Sequence, residues 1–143
     1  MEMARLVAAW TSCHRDERKV GAVIVKNKRV LTTGYNGAPA GVRTCAERGE
    51  CMRVGLGIPS GTRQELCYAI HAEQNAVIQA ARLGVSIEGA TLYCTHRPCA
   101  VCSKILVNAG IARVVYEAGY PDEFAVRILS EGGVPAEAYA DPG

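Results

Sequence analysis

No stretch of this chain approaches the roughly 18 consecutive apolar residues that a membrane-crossing helix takes, which excludes such a span. Charge of one sign is also scarce. A formal net charge of +2 speaks against a nucleic-acid coat or a membrane-surface binder, while leaving room for a local basic pocket. The opening residues, Met1-Glu2-Met3-Ala4-Arg5, carry an acid and lack a signal-peptide core and cleavage site, so the expected location is the cytoplasm. There is no internal repeat, linker or low-complexity tract, and 143 residues suit one ordinary domain, expected over 1–143.

Cysteine, by contrast, is plentiful. Seven in a chain expected to stay in a reducing compartment point to metal binding or catalysis before a disulfide framework. With 49% apolar and 21% charged residues, the rest of the composition is that of a globular protein.

Residues 3–13 place Leu6, Val7, Trp10 and Cys13 at helical intervals. The β-branched run Val20–Val25, a turn at Asn27-Lys28 and the run Arg29–Tyr35 read as a hairpin. Residues 36–66 are rich in glycine and have no sustained period. They predict a long loop, functional or held by something local, with one short helical turn near 51–54. A helix is expected over 71–83, stopped by Gly84, then a strand over 90–95 and a helix over 99–109 behind Pro98. A strand at 112–116, a helix at 122–130 and a terminal strand at 134–139 complete the pattern. Strands alternating with helices predict an α/β domain whose partly parallel sheet is covered on both faces.

Two short motifs carry chemistry: His71-Ala72-Glu73 and Pro98-Cys99-Ala100-Val101-Cys102. Cys99 and Cys102, three apart at a helix start, project from one turn. With His71 at the start of the other helix they make three soft or borderline ligands, the set of a catalytic zinc that keeps its fourth position for water. Both helix N-termini favour negative charge there. Glu73 is not needed as a ligand and can take and return protons. The competing reading is a closed zinc staple in which Glu73 is only a helix N-terminal carboxylate, but closed sites want a fourth ligand.

With these motifs the sequence resembles the cytidine and deoxycytidylate deaminase superfamily, and within it the deoxycytidylate deaminases. The matching blocks are KVGAVIVKNKRVLTTGYNGAPAG, HAEQNAVIQAA, SIEGATLYCTHRPCAVC and NAGIARVVY, between about residues 3 and 135. The resemblance implies a three-layer fold, a five-stranded mixed sheet with helices on both faces. It also implies zinc on His71, Cys99 and Cys102, with Glu73 as proton shuttle in the conversion of dCMP to dUMP and ammonia, a supply of dUMP for dTMP synthesis. Backbone groups near Ala72 and Cys99 would read the base edge. Asn36 in GYNG would bind the sugar or phosphate side, although Asn-Gly is also a strong turn signal. Tyr116 would close the substrate pocket. Free cytidine deaminases usually have cysteine in place of His71, and transfer-RNA adenosine deaminases typically lack the YNGAPAG block; small net charge also disfavours RNA. Other cytosine or adenine substrates, and a non-catalytic zinc-stabilised module, are the alternatives.

Further expectations concern the remaining polar residues. Arg43, Arg48, Arg53 and Arg63 on the long loop could each meet a phosphate, but a solvated side chain is the expected fate of each. Cys13, Cys45, Cys51 and Cys67, with His96, are candidates for a second, structural zinc, as in phage-type relatives. The opposing reading makes Cys13, Cys67 and Cys94 small buried apolar residues. The resemblance also implies homo-oligomers, often hexamers, and in some members a response to dCTP and dTTP. Arg82 is either an effector or interface contact or a helix C-terminal cation.

Overall fold

The structure is a computed structural model that describes residues 1–119 and 121–143, Asp16 by its backbone alone. Its five strands are β1 (Gly21–Lys26), β2 (Arg29–Tyr35), β3 (Thr91–His96), β4 (Arg113–Ala118) and β5 (Ala136–Ala138). They form one mixed sheet in the order β2-β1-β3-β4-β5. β1 is antiparallel to both neighbours, whereas β3, β4 and β5 run parallel. The hairpin turn holds Asn27 and Lys28 at φ 52° and 60°, the left-handed pair that matches the twist of the flanking strands.

The described residues also form six helices: α1 (Glu2–Ala8), α2 (Cys45–Arg48), α3 (Met52–Gly55), α4 (Ala72–Leu83), α5 (Ala100–Asn108) and α6 (Glu123–Glu131). Alternation along β1 divides the core. Val23, with Val25 beside it, meets Ala4 and Val7 of α1 on one face. Ala22 and Ile24 join Leu92, Val114 and the buried sides of α4, α5 and α6 on the other. The expected cover on both faces is therefore present.

Two glycines set how closely the helices approach. A Cβ on Gly21 would stand 2.0 Å from Ala4 O, and one on Gly34 would stand 2.2 Å from Ala72 O. Only a residue without a side chain lets α1 and α4 lie on the sheet at those points.

The structure corrects three expectations. The first helix ends at Ala8, not Cys13. Past it, Trp10 stacks edge-on to Tyr35 and the Thr11 hydroxyl donates to the Asn36 carbonyl and Oδ1, so the chain turns away. The long loop contains α2, whose capping box pairs Thr44 with Glu47, as well as α3 and a 3-10 turn at Gln64–Leu66. The terminal strand shortens to Ala136–Ala138.

Candidate metal centre and cleft

His71 and Cys99 are the residues immediately before α4 and α5. Each carbonyl accepts the first bond of its own helix, from Asn75 N at 2.9 Å and from Ser103 N at 2.8 Å. The side chains therefore leave the helix starts in fixed directions. The backbone N–H of His71 donates to Gln74 Oε1 at 3.1 Å, which pins the ligand further. Asp122 caps α6 through Oδ1, accepting from Phe124 N and Ala125 N, while its Oδ2 accepts from Ala100 N beside Cys99. The sequence signals for both were present: a glutamine three residues after a helix cap, and an aspartate ahead of an apolar run.

These elements bring His71 Nδ1 to 3.6 Å from Cys99 Sγ and 3.3 Å from Cys102 Sγ. All three donor atoms lie within 4.8 Å of one another, the one such set among the described residues. The hydrogen bond from Cys102, helped by His71, holds the Cys99 thiol down to about 4 against the opposing effect of burial. The same bond, with burial, drives the Cys102 thiol up, and contact with Cys99 raises His71. A thiolate at Cys99 beside His71 thus stands between two helix N-termini. One imidazole nitrogen and two sulfurs, partly buried and converging, fit a three-ligand zinc site.

Glu73 is 4% exposed. It neighbours Cys102 and Cys94, and its burial pushes the carboxyl up to about 7, the range of a group that both takes and gives protons near neutrality. Ala72, between ligand and acid, is fully buried. His71 and Cys99 open onto a cleft of about 600 Å³, walled by Cys67–Ile70 and Gln64 on one side and by Ala100, Val101 and Asp122 on the other.

The other expected residues make contacts of their own. The Asn36 amide ties three segments: Oδ1 accepts from Thr11 Oγ1 and Val20 N, and Nδ2 donates to Arg18 O. Tyr116 lies on β4 with the Arg97 guanidinium 4.8 Å above its ring, backing the segment that delivers Cys99. Cys45 is buried. Burial first, then the charges of Cys67, Cys13 and Cys51, raise its thiol, so the four cysteines are neighbours. His96 instead has its Nδ1 3.4 Å from Thr95 Oγ1, in the field of Glu117. Cys94 is fully buried in the main core.

Three of the loop arginines have local, exposed or half-exposed settings. Arg43 Nη2 donates to Glu47 O, Arg48 lies 4.0 Å over the Tyr68 ring, and Arg63 pairs with Glu65. Arg53 overturns the expectation of solvation, since it is only 7% exposed. Burial here depends on how the loop folds back, which no local pattern encodes.

Comparison with known proteins follows the same lines. The cytidine and deoxycytidylate deaminase zinc-binding region matches residues 1–118. The deoxycytidylate deaminase of Schizosaccharomyces pombe is 39% identical over 143 residues, 99% of this chain and 43% of that protein. That of Mycobacterium phage D29 is 43% identical over 119 residues, 80% of this chain and 88% of the phage protein. The chain thus spans less than half the length of the fission-yeast relative. Among solved structures, the dCMP deaminase of cyanophage S-TIM5 in complex with dCMP and dUMP superposes with a TM-score of 0.78 at 33% identity, covering 96% of this chain and 92% of that one.

Proposed function

The chain belongs to the cytidine and deoxycytidylate deaminase zinc-binding family, and from that premise we propose that it hydrolyses dCMP to dUMP and ammonia. The observation that carries the proposal is a buried, proton-holding Glu73 beside the convergent His71, Cys99 and Cys102. Zinc on those three residues would supply an activated water for attack on C4 of the cytosine.

The chain's own groups then do the following. His71, Cys99 and Cys102 would hold the metal, the first fixed by the start of α4 and the two cysteines by the start of α5. Glu73 takes the proton of the attacking water and passes it to the ring nitrogen; it then takes the proton of the new C4 hydroxyl and delivers it to the departing amine, leaving the C4 carbonyl. Water adds and ammonia leaves, so the balance is cytosine plus water giving uracil plus ammonia. Backbone groups at Ala72 and Cys99 face the base edge. Asn36 is proposed at the sugar, with the amide hydrogen that Arg18 does not use, and Tyr116 as a support of the pocket behind Arg97. The product would feed dTMP synthesis.

The test is ammonia release from dCMP, CMP, deoxycytidine, cytosine and a transfer-RNA hairpin containing adenosine. Turnover confined to dCMP is expected. Glu73→Gln should lower it by about 10²–10⁴-fold with zinc content unchanged. A Glu73→Gln protein with near-parental turnover would remove the shuttle and favour a non-catalytic module.

A second, structural zinc on Cys13, Cys45, Cys51 and Cys67 belongs to the same proposal, without His96. Support comes from the setting of Cys45, whose thiol feels Cys67, Cys13 and Cys51, and from two bonds nearby, Ala46 N to Ser12 O and the Gly37–Ile70 pair. Metal analysis of the active protein should give two zinc ions per chain; one would refute the second site. We further propose a cytoplasmic location, in keeping with a cysteine-rich sequence read for metal binding, and a homo-oligomer built of single-domain chains.

A further inference from the structure

Strand β2 forms one edge of the sheet, and two of its outward-facing backbone groups are met by side chains of α4. At the Gly21–Tyr35 pair β1 turns its groups toward β3, as the bond from Gly21 N to Thr95 Oγ1 shows, so the Tyr35 carbonyl faces outward. Asn75 Nδ2 donates to that carbonyl at 2.8 Å. Two residues back along the strand, Thr33 N donates to Gln79 Oε1 at 2.9 Å. Asn75 and Gln79 stand one helical turn apart, about 5.4 Å along the axis, close to the roughly 6.8 Å between Tyr35 and Thr33 on the strand. Gly34, between those two strand residues, lets the helix come this near.

The two bonds differ in what adjoins them. Asn75 lies in the first turn of α4, its backbone N–H donating to His71 O at 2.9 Å, and its amide holds the residue directly before Asn36. On the other side of Asn36, Gly37 N donates to Ile70 O at 3.2 Å and Ile70 N to Gly37 O at 2.8 Å. Ile70 directly precedes His71. Both neighbours of Asn36 are therefore bonded to the segment that carries His71 and Glu73, one through backbone and one through the Asn75 amide. The Asn36 side chain itself is tied to Thr11, Arg18 and Val20, none of which belongs to that segment.

Building on the reading of Asn36 at the sugar, we infer that Asn75 is a positioning residue for substrate binding. It holds the end of β2, and Asn36 with it, at the spacing from His71 and Glu73 that lets one nucleotide meet the sugar contact and the metal together. Without the amide, the Gly37–Ile70 pair is left as a pivot about which Asn36 can swing off the sugar. Gln79 clips the same strand away from the Asn36 turn, which makes it the internal control.

The experiment measures kcat and KM for dCMP, melting temperature and zinc content in the parent, in Asn75→Ala, Gln79→Ala and Asn36→Ala, and in the protein carrying both asparagine substitutions. Asn75→Ala should lower kcat/KM about 3- to 10-fold, mostly through KM, at unchanged zinc content. Gln79→Ala should lower the melting temperature while keeping KM within about 2-fold of the parent. In the Asn36→Ala background the Asn75 substitution should cost less than about 2-fold more, because residues acting through one contact are not additive. An unaltered KM in Asn75→Ala, an equal rise in Gln79→Ala, or full multiplication of the two losses in the double variant would make Asn75 a fastener of the sheet edge and overturn the inference alone. Absence of dCMP turnover in the parent, or parental kinetics in Asn36→Ala, would overturn the reading beneath it and this inference as well. If Asn75→Ala does not accumulate, Asn75→Ser, too short to reach the Tyr35 carbonyl, takes its place in the same cycle with the same outcomes.

Discussion

Glu73 is held in its useful state by burial, and that has a stability consequence. Its carboxyl, ordinarily near 4.5, is pushed up to about 7. A group that holds its proton more tightly folded than unfolded stabilises the fold fully below about 4.5 and loses that contribution as pH rises through about 7. Glutamine cannot ionise. The metal-free Glu73→Gln protein should therefore gain stability relative to its metal-free parent across that window, with the difference levelling above it. Denaturant melts at several pH values measure this, and a pH-independent difference would show that burial does not hold the proton. Comparing two chains cancels the opposite trend from Cys99, whose thiol is drawn down to about 4. The four residues of the site were legible because each sits at a helix start, where spacing of one to three residues already fixes direction. Arg53 was not, since its burial comes from the loop folding onto the body. The knot at Asn36 was hidden for the same reason: its partners Thr11, Arg18 and Val20 are 16 to 25 residues away.

At the level of elements, the start of α4 carries the proposed ligand His71 and the proposed acid Glu73, and the seat of that helix on the sheet depends on Gly34. A methyl group there would collide with Ala72 O at 2.2 Å and Ala76 N at 2.5 Å. The Gly34→Ala protein should lose on the order of 1–3 kcal/mol of stability, the usual range for an overpacked contact. It should also lose activity beyond that, because Ala72 joins His71 to Glu73. Thermal melts alongside kcat will show both; a stable, fully active Gly34→Ala protein would mean the helix can back away freely. The sequence marks residues 29–35 as a strand but cannot say which glycine faces a helix, because that depends on what crosses over it. The capping box Thr44-x-x-Glu47 was readable and marks α2 inside what the glycines suggest is plain loop. The first helix was overextended because residues 9–13 hold neither glycine nor proline, and long-range contacts of Trp10 and Thr11 end it instead.

Across the whole molecule, the mixed sheet was foreseeable from a hairpin followed by alternating helices and strands. The strand order follows once β3 pairs with β1 instead of β2, a choice made by the core on both faces. The cleft, by contrast, is walled by the loop on one side and by the starts of α5 and α6 on the other, so no single segment announces it. His71 and Cys99 stand 28 residues apart along the chain. An ion gripped by both would close α4 and β3 into a ring within the backbone. Pulled by its two ends, such a chain would stop on the order of 100 Å short of its full length, at about 3.5 Å per hidden residue. The reserve would be released only when a ligand let go, making the metal centre a mechanical lock as well as a reaction site.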